Sequence, residues 1–150
     1  MVEGLGLHYE TGMSIQRFTR KHLVIGSPEE TVTAIAERMS NNHVGAVVIV
    51  DQGRLVGMVT DRDLTLRVLA QGRPGTTPVR EVMSGDLVTA HVDDSLDEIA
   101  FRMRKFGVRR LPILARDGSL SGLVALDDLF VLLAGELATT AQAVVANRGP

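Results

Sequence analysis

The sequence contains neither cysteine nor tryptophan, and aromatic residues make up only 3% of its 150 positions. Without cysteine there can be no disulfide, no catalytic thiol and no cysteine-based zinc site. The shortage of aromatic rings argues against the stacking platforms that bind single-stranded nucleic acids. Because hydrophobic residues still account for 45% of the chain, a core can form, built mainly from aliphatic side chains and methionine.

A strong net charge and a long apolar run are absent as well. Sixteen basic and eighteen acidic residues leave a formal net charge of −2, which is not the electrostatic footprint of a nucleic-acid or membrane-surface binder. No apolar run approaches the roughly 20 residues of a transmembrane helix, and the N-terminus has no signal-peptide pattern. We therefore expect a cytoplasmic protein that binds neither nucleic acid nor membranes.

The sequence also lacks the combinations of residues that form a catalytic or metal-binding centre. The sequence shows no Ser/His/Asp or Cys/His set and no Walker-type loop. Its four histidines are scattered, without the nearby carboxylates of a metal site. The acid pairs at residues 29–30 and 93–94 stand at helix starts, where they favour helix capping over acid–base chemistry. We expect no enzyme and no required cofactor.

What the chain does contain is an internal repeat. Residues 14–39 match residues 78–103 at an offset of 64, and residues 53–64 match residues 118–129 at an offset of 65. A linker rich in glycine, proline and threonine, residues 71–78, separates the two copies. The aligned positions include these apolar pairs: Leu23 and Leu87, Val24 and Val88, Ile35 and Ile99, and Met39 and Met103.

Both copies carry the same order of predicted elements. A short strand leads to a helix, whose N-cap is Ser27 or Thr31 in copy one and Asp93 or Asp94 in copy two. Two β-rich runs separated by a glycine turn follow, and a second helix closes each copy. One copy of about 50 residues buries too little apolar surface to be stable alone. The pattern therefore predicts an α/β (α+β) fold, in which two β-α-β-β-α repeats pack around a pseudo-twofold axis.

The predicted organisation has four parts: an N-terminal extension (1–13), repeat 1 (14–71), repeat 2 (78–135), and a C-terminal helix and tail (136–150). We expect the extension and the last four residues to be mobile. The chain after Asp128 is longer and more apolar than the closing helix of copy one. It either packs across a dimer interface or covers its own sheet.

The third strand of copy one ends in the motif "GMVTDRD", residues 57–63, and copy two has a related motif after its own third strand. With "VRRLPIL" from Val108 and the glycine turns before each third strand, the chain resembles a tandem pair of CBS domains, called a Bateman module. The resemblance covers roughly residues 14–135. It implies a regulatory module that binds AMP, ADP, ATP or S-adenosylmethionine between its copies, and that assembles into a disc-like homodimer.

The resemblance assigns Asp63 to the ribose-binding position. Thr60 would donate its hydroxyl to ribose or phosphate, and the helix that begins near Asp61 would offer free N–H groups. Copy two keeps the carboxylate, as Asp128, but has Ala125 in place of the threonine. We therefore predict one good adenine-nucleotide site per chain, centred on Asp63, and a second site at Asp128 that is weak or empty.

The dipeptide before the second strand of each repeat differs between the copies. The resemblance implies that this dipeptide either lines the adenine pocket or reaches the phosphates. Gly45 and Ala46 are small enough to line the adenine pocket, whereas Arg109 and Arg110 would reach the phosphates of the same nucleotide. The two arginines favour a phosphorylated ligand over S-adenosylmethionine, because they would repel its sulfonium. The remaining predicted contacts are apolar: Met58, Val24, Ile25 and, from the facing strand, Leu123.

Simpler interpretations stay open for these residues. Thr60 and Asp63 could form an ordinary helix cap, and Arg109 and Arg110 could be solvated surface charges. The chain would then be a ligand-free interaction or scaffold module that recruits a partner through its apolar tail. In the regulatory interpretation, an unidentified protein target reads the ligand-dependent change.

Overall fold

The computed structural model describes residues 23–146, which form two three-stranded sheets with helices packed against them. The expectations for the N-terminal extension at residues 1–13 and for the last four residues fall outside this range. No helix in the described range combines the length and the apolar character needed to cross a membrane.

Copy one forms a parallel strand pair extended by an antiparallel hairpin. Its strand order is β1-β2-β3, with β1 parallel to β2 and β3 antiparallel to it. The hairpin turn needs a left-handed backbone at Gln52 and Gly53, which glycine adopts without strain. The elements are β1 (Ile25–Gly26), α1 (Val32–Asn42), β2 (Ala46–Asp51), β3 (Arg54–Thr60) and α2 (Asp61–Asp63), the last continuing as a π-helix (Leu64–Leu69).

Copy two repeats this arrangement, so the predicted β-α-β-β-α order is confirmed in both halves. Its sheet has the order β4-β5-β6 with the same parallel and antiparallel pairings. The hairpin register shifts after Ile49 in copy one and after Ile113 in copy two, which are equivalent positions. The elements are β4 (Ala90–His91), α3 (Leu96–Phe106), β5 (Arg110–Leu114), β6 (Leu120–Ala125) and α4 (Leu126–Ala146).

Side-chain caps fix where the first helix of each copy begins. Thr31 caps α1, because its Oγ1 accepts the N–H of Ala34 at 3.2 Å. Ser95 caps α3 through a reciprocal pair, in which its Oγ accepts the N–H of Glu98 and the Glu98 carboxylate accepts the N–H of Ser95. These hydrogen bonds from Ser95 hold the pKa of Glu98 below its ordinary value.

The predicted cap of α3 at Asp93 or Asp94 is therefore wrong. Both carboxylates are engaged elsewhere: Asp93 pairs with Arg116 at 2.8 Å, and Asp94 accepts the N–H of His91 at 2.9 Å. Their sequence pattern indicated the helix start to within two residues, but only Ser95 stands directly before the first helical residue.

Each copy has its own apolar core. The equivalent helix and strand residues Ile35 and Ile99, and Ile49 and Ile113, are fully buried in their respective cores. Copy one, however, also buries Val79 and Val82, which lie beyond the linker and align with the start of copy two.

The segment that holds these two valines crosses over copy one before it enters copy two. It forms a short 3₁₀ turn (Val79–Glu81), and then pairs with the end of β3. Met58 N–H donates to Ser84 O at 3.0 Å, and Ser84 N–H donates to Met58 O at 2.9 Å. This crossing brings residues 84–88 alongside the end of β3, where the motif that ends in Asp63 begins.

Candidate functional site

Thr60 and Asp63 form a reciprocal cap at the junction of β3 and α2. The Thr60 N–H and Oγ1–H both donate to Asp63 Oδ2, at 2.9 and 2.7 Å, and the Asp63 N–H donates to Thr60 Oγ1 at 3.2 Å. The cap interpretation thus describes the geometry of these two residues. The carboxylate is held in place by these bonds, and the Asp63 side chain is only 17% exposed.

The expectation of free N–H groups at this helix start is wrong. Asp61 N–H donates to the Gly45 carbonyl at 3.2 Å, and Arg62 N–H donates to Asp61 Oδ1 at 2.8 Å. The Asp63 N–H is used by Thr60. Any ligand at this end of the strand must therefore be recognised by side chains and not by the helix terminus.

Arg67 is a site residue that the sequence reasoning missed. Its Nη2 lies 3.2 Å from Asp63 Oδ1, and its Nη1 donates to the Val82 carbonyl at 2.6 Å. It also reaches Ser84 Oγ at 3.2 Å. The available signal was the spacing of acid and base four residues apart on a helix. Copy two has Leu132 at the equivalent position, so this interaction belongs to copy one alone.

The first of two cavities between the copies, which we call the Asp63 cavity, has a volume of about 450 Å³. Copy one supplies the end of β3 and the helix after it, and the rest comes from the crossing segment and the region before β5. The cavity is lined by Met58, Thr60, Asp63, Arg67, Ser84, Asp86, Leu87, Val88, Gly107, Val108, Arg109 and Arg110. It joins two carboxylates and two hydroxyls, one of each from either side of the linker, to three arginines and an apolar wall.

The second cavity, the Asp128 cavity, is smaller, at about 220 Å³. Its acids come from the start of α4, and its apolar wall comes mainly from copy one. The cavity is lined by Leu23, Val24, His43, Val44, Gly45, Ala46, Val48, Arg110, Leu123, Ala125, Asp127 and Asp128. Each cavity thus combines the acid of one copy with the strand residues of the other.

The predicted grouping of ten residues around Asp63 needs correction. The structure brings together Thr60, Asp63, Met58, Arg109 and Arg110 in the Asp63 cavity, but places Val24, Gly45, Ala46 and Leu123 in the Asp128 cavity. Ile25 is 45% exposed and lines neither of them.

The reason is the packing of the two copies, which sets the end of each β3-type strand against the first strand of the other copy. Val24 was expected beside Asp63, and its equivalent, Val88, takes that place. Val44 and Val108 exchange in the same way. For Val24 the residue type was anticipated and the copy was not, whereas the small residues expected beside Asp63, Gly45 and Ala46, have no small counterpart in that cavity.

The two arginines before and at the start of β5 have different surroundings. Arg109 Nη2 pairs with Asp127 Oδ1 at 2.7 Å, and both side chains are about two-thirds exposed. The Arg110 guanidinium lies beside Gly45: a Cβ placed on that glycine would be 3.3 Å from Arg110 Nη2 and 3.2 Å from Asp61 Oδ2. Gly45 therefore leaves the space that the guanidinium occupies.

A third depression of about 670 Å³ lies between the hairpin turns of the two copies, but it is a poorer candidate for the site. It contains Arg54 and Asp117 and no carboxylate–hydroxyl pair facing several cations. Asp117 is engaged by its own turn, because the Ser119 hydroxyl donates to it at 2.6 Å and holds its pKa below the ordinary value. No cluster of His, Asp and Glu suited to a metal ion occurs among residues 23–146.

Comparison with known proteins agrees with the two-copy architecture. A family model, the CBS domain, matches the chain twice, over residues 15–70 and 79–135. The CBS domain-containing protein YhcV of Bacillus subtilis is 48% identical over 105 residues, which cover 70% of this chain and 74% of that protein.

Solved structures agree as well. An uncharacterized conserved protein from Pyrococcus horikoshii superimposes with a TM-score of 0.74 at 29% identity, covering 79% of this chain and 90% of that one. The CBS domain pair of protein MJ0100, solved in complex with 5'-methylthioadenosine and S-adenosyl-L-methionine, gives a TM-score of 0.74 at 24% identity, covering 81% and 96%. At that identity, the second likeness concerns the fold alone.

Proposed function

Because this chain belongs to the CBS domain family and carries two CBS domains in tandem, we propose that it is a regulatory module that binds an adenine nucleotide in the Asp63 cavity. The observation that carries the proposal is the meeting of Asp63 and Thr60 with three arginines in one cavity of about 450 Å³. Ligand pockets in proteins usually measure roughly 300–1,000 Å³. The Asp128 cavity falls below that range, so the Asp63 cavity is the main site.

Asp63 is the group that would accept the ribose hydroxyls. A carboxylate offers about four lone-pair directions, of which Thr60 uses two on Oδ2. Oδ1 faces the Arg67 guanidinium in an ion pair at 3.2 Å, and its lone pairs would accept the two ribose hydroxyls. The Thr60 hydroxyl can also rotate to donate to the ligand, because the Thr60 N–H still donates to Asp63.

The remaining walls match the other parts of a nucleotide. Met58, Leu87, Val88 and Val108 provide an apolar surface for the adenine ring. Arg109 would turn from Asp127 to a phosphate at little cost, because an ion pair this exposed contributes only about 0–1 kcal/mol. Guanidinium groups bind phosphate well through their rigid fork, and they would repel a sulfonium. AMP, ADP or ATP is therefore the proposed ligand class.

Regulation would follow from the position of the site between the copies. A ligand in the Asp63 cavity touches β3 and the helix after it from copy one, and the region before β5 from copy two. It therefore favours the relative orientation of the copies in which both sets of contacts form. A homodimer would pass this change to a protein target. The CBS domain pair of protein MJ0100 binds 5'-methylthioadenosine and S-adenosyl-L-methionine, which supports an adenosine-containing ligand; the preference for a phosphate rests on the arginines of this chain.

The proposal is tested by calorimetric titration of AMP, ADP, ATP and S-adenosylmethionine into the wild type and into Asp63→Asn. We expect one tight site per chain for at least one nucleotide and a loss of affinity of about tenfold or more in the variant. Such a factor corresponds to about 1.4 kcal/mol. Thr60, the N-cap of α2, is unchanged, and the asparagine side-chain oxygen can still accept the Thr60 N–H, so this change removes the carboxylate and spares the fold.

Asp128→Asn is the matched control, because it makes the same chemical change at the equivalent position of copy two. Its tight site should keep wild-type affinity. If no adenosine compound binds the wild type, or if Asp63→Asn binds as tightly, the site assignment is refuted. The module would then be better described as a ligand-free scaffold acting through the exposed apolar residues of α4.

A further inference from the structure

Arg110 is the residue that the two cavities share. It lines both the Asp63 cavity and the Asp128 cavity, whereas Arg109 lines only the Asp63 cavity. Arg110 is the first residue of β5 and pairs across the hairpin with Ala125, which itself lines the Asp128 cavity. The β-sheet pairing therefore fixes its backbone between the two cavities, while its long side chain can extend into either of them.

In the structure, the guanidinium of Arg110 lies on the side of the Asp128 cavity. It lies against Gly45, within 3.3 Å of where a Cβ would be, and Gly45 belongs to the Asp128 cavity. Among residues 23–146, no carboxylate forms an ion pair with it at 4.0 Å or less, although Arg109 has such a pair with Asp127. Reaching a phosphate in the Asp63 cavity would take it away from Gly45.

Because Arg110 can reach both cavities, the binding of a charged ligand in one cavity affects the binding of a second one in the other. Two phosphates that both face Arg110 repel each other and compete for the same donors. Building on the proposed function, we propose that Arg110 makes the two cavities antagonistic: a phosphorylated nucleoside in the Asp63 cavity weakens the binding of a second one in the Asp128 cavity. Coupling between sites is typically about 5- to 150-fold in affinity, and we expect about tenfold here.

Site-resolved methyl NMR tests the coupling, since Met58 reports on the Asp63 cavity and Ala46 on the Asp128 cavity. AMP is titrated into the wild type, in which the Asp63 cavity fills first, and into Asp63→Asn, in which it is weakened. We expect the dissociation constant read from Ala46 to be about tenfold weaker in the wild type. Adenosine, which lacks the phosphate, should show no such difference.

Two arginine variants assign the coupling to one residue. In Arg110→Gln the constants read from Ala46 should become equal with and without the Asp63→Asn change. Arg109 pairs with Asp127, which lines the Asp128 cavity, so Arg109→Gln tests the alternative that Arg109 carries the coupling. In this variant the Asp63 cavity should bind AMP more weakly while the coupling persists.

The inference is overturned if Ala46 gives the same constant in the wild type and in Asp63→Asn. It is also overturned if Ala46 never responds, or if Arg110→Gln keeps the tenfold difference. In these cases a response of Met58 to AMP leaves the proposed function standing. If neither methyl group responds to any adenosine compound in the wild type, the proposed function fails as well.

Discussion

At the scale of single residues, the orientation of the Asp63 carboxylate depends on two neighbours. Thr60 holds one carboxylate oxygen and Arg67 holds the other. Arg67 also ties this carboxylate to the crossing segment through Val82 and Ser84. The acid is therefore held in place by groups from both sides of the linker, and its orientation does not rely on the ligand.

Replacing Arg67 should show what this orientation contributes. In Arg67→Met we expect AMP to bind about tenfold more weakly, because the ligand must then order the Asp63 carboxylate itself. Tenfold corresponds to about 1.4 kcal/mol. The measurement is the AMP dissociation constant by calorimetry, with Ser84→Ala as the control that loses only the Ser84 contact. Tighter binding in Arg67→Met would instead mean that Arg67 competes with ribose for Asp63.

At the scale of elements, the segment with Val79 and Val82 belongs to one copy by sequence and to the other by packing. By alignment these residues begin copy two, but they are buried at 0% and 1% exposure in the core of copy one. The linker therefore does not separate two independent units. The start of copy two packs into the core of copy one, and the backbone hydrogen bonds between Met58 and Ser84 hold it there.

Val82→Ala should accordingly destabilise copy one. Removing two buried methyl groups lowers the free energy of unfolding by about 2 kcal/mol, measured by urea denaturation. Native-state hydrogen exchange should place the loss of protection in β2 and β3 more than in β5 and β6. Leu69→Ala, at a position that is 78% exposed and outside α4, should change stability by less than about 0.5 kcal/mol. Equal loss of protection in both sheets would contradict this assignment.

The sequence predicted the elements well because each depends on local signals. The apolar spacing, the glycine turns and the repeat offset were enough to give the β-α-β-β-α order twice, which the structure confirms. The cap of α3 was missed because Asp93, Asp94 and Ser95 are all good capping residues. The two aspartates are instead engaged in ion pairs, Asp93 with Arg116 on the following hairpin and Asp94 with Arg102 of the same helix, and no local capping preference reveals this.

The site was harder to predict, because it is made where the copies meet. Asp63, Thr60 and the arginines could be recognised from their own motifs. The assignment of Val24, Gly45 and Ala46 required knowing which copy faces which, and no local pattern carries that information. The contribution of residues 84–88 depends on the crossing segment, whose path follows from tertiary packing.

At the scale of the whole molecule, α4 carries apolar side chains that the described chain leaves exposed. Phe130 and Leu137 are 63% and 71% exposed, and a spacing of seven residues sets them on one side of the helix. An exposed apolar side of this kind usually marks an interaction surface. We propose that a second copy of the chain covers it, which favours the dimer-interface alternative for the C-terminal helix.

The double variant Phe130→Asp/Leu137→Asp tests this assembly. We expect the wild type to sediment as a dimer and the double variant as a folded monomer, because charges buried in an interface are costly. Analytical ultracentrifugation with circular dichroism provides the measurement. Phe130→Leu/Leu137→Met keeps the surface apolar and should remain dimeric. A monomeric wild type would contradict the proposal that α4 forms a dimer interface.

The crossing of residues 79–84 over copy one also bears on how such a protein could be recombined. The unit that is repeated in the sequence and the unit that is buried together in space are not the same stretch of chain. A chimera in which copy one is replaced up to the linker would keep Val79 and Val82, and these two valines would then have to pack into the core of the replacement copy. A recombinant chain that exchanges whole copies would keep this packing only if residues 79–84 were exchanged together with copy one.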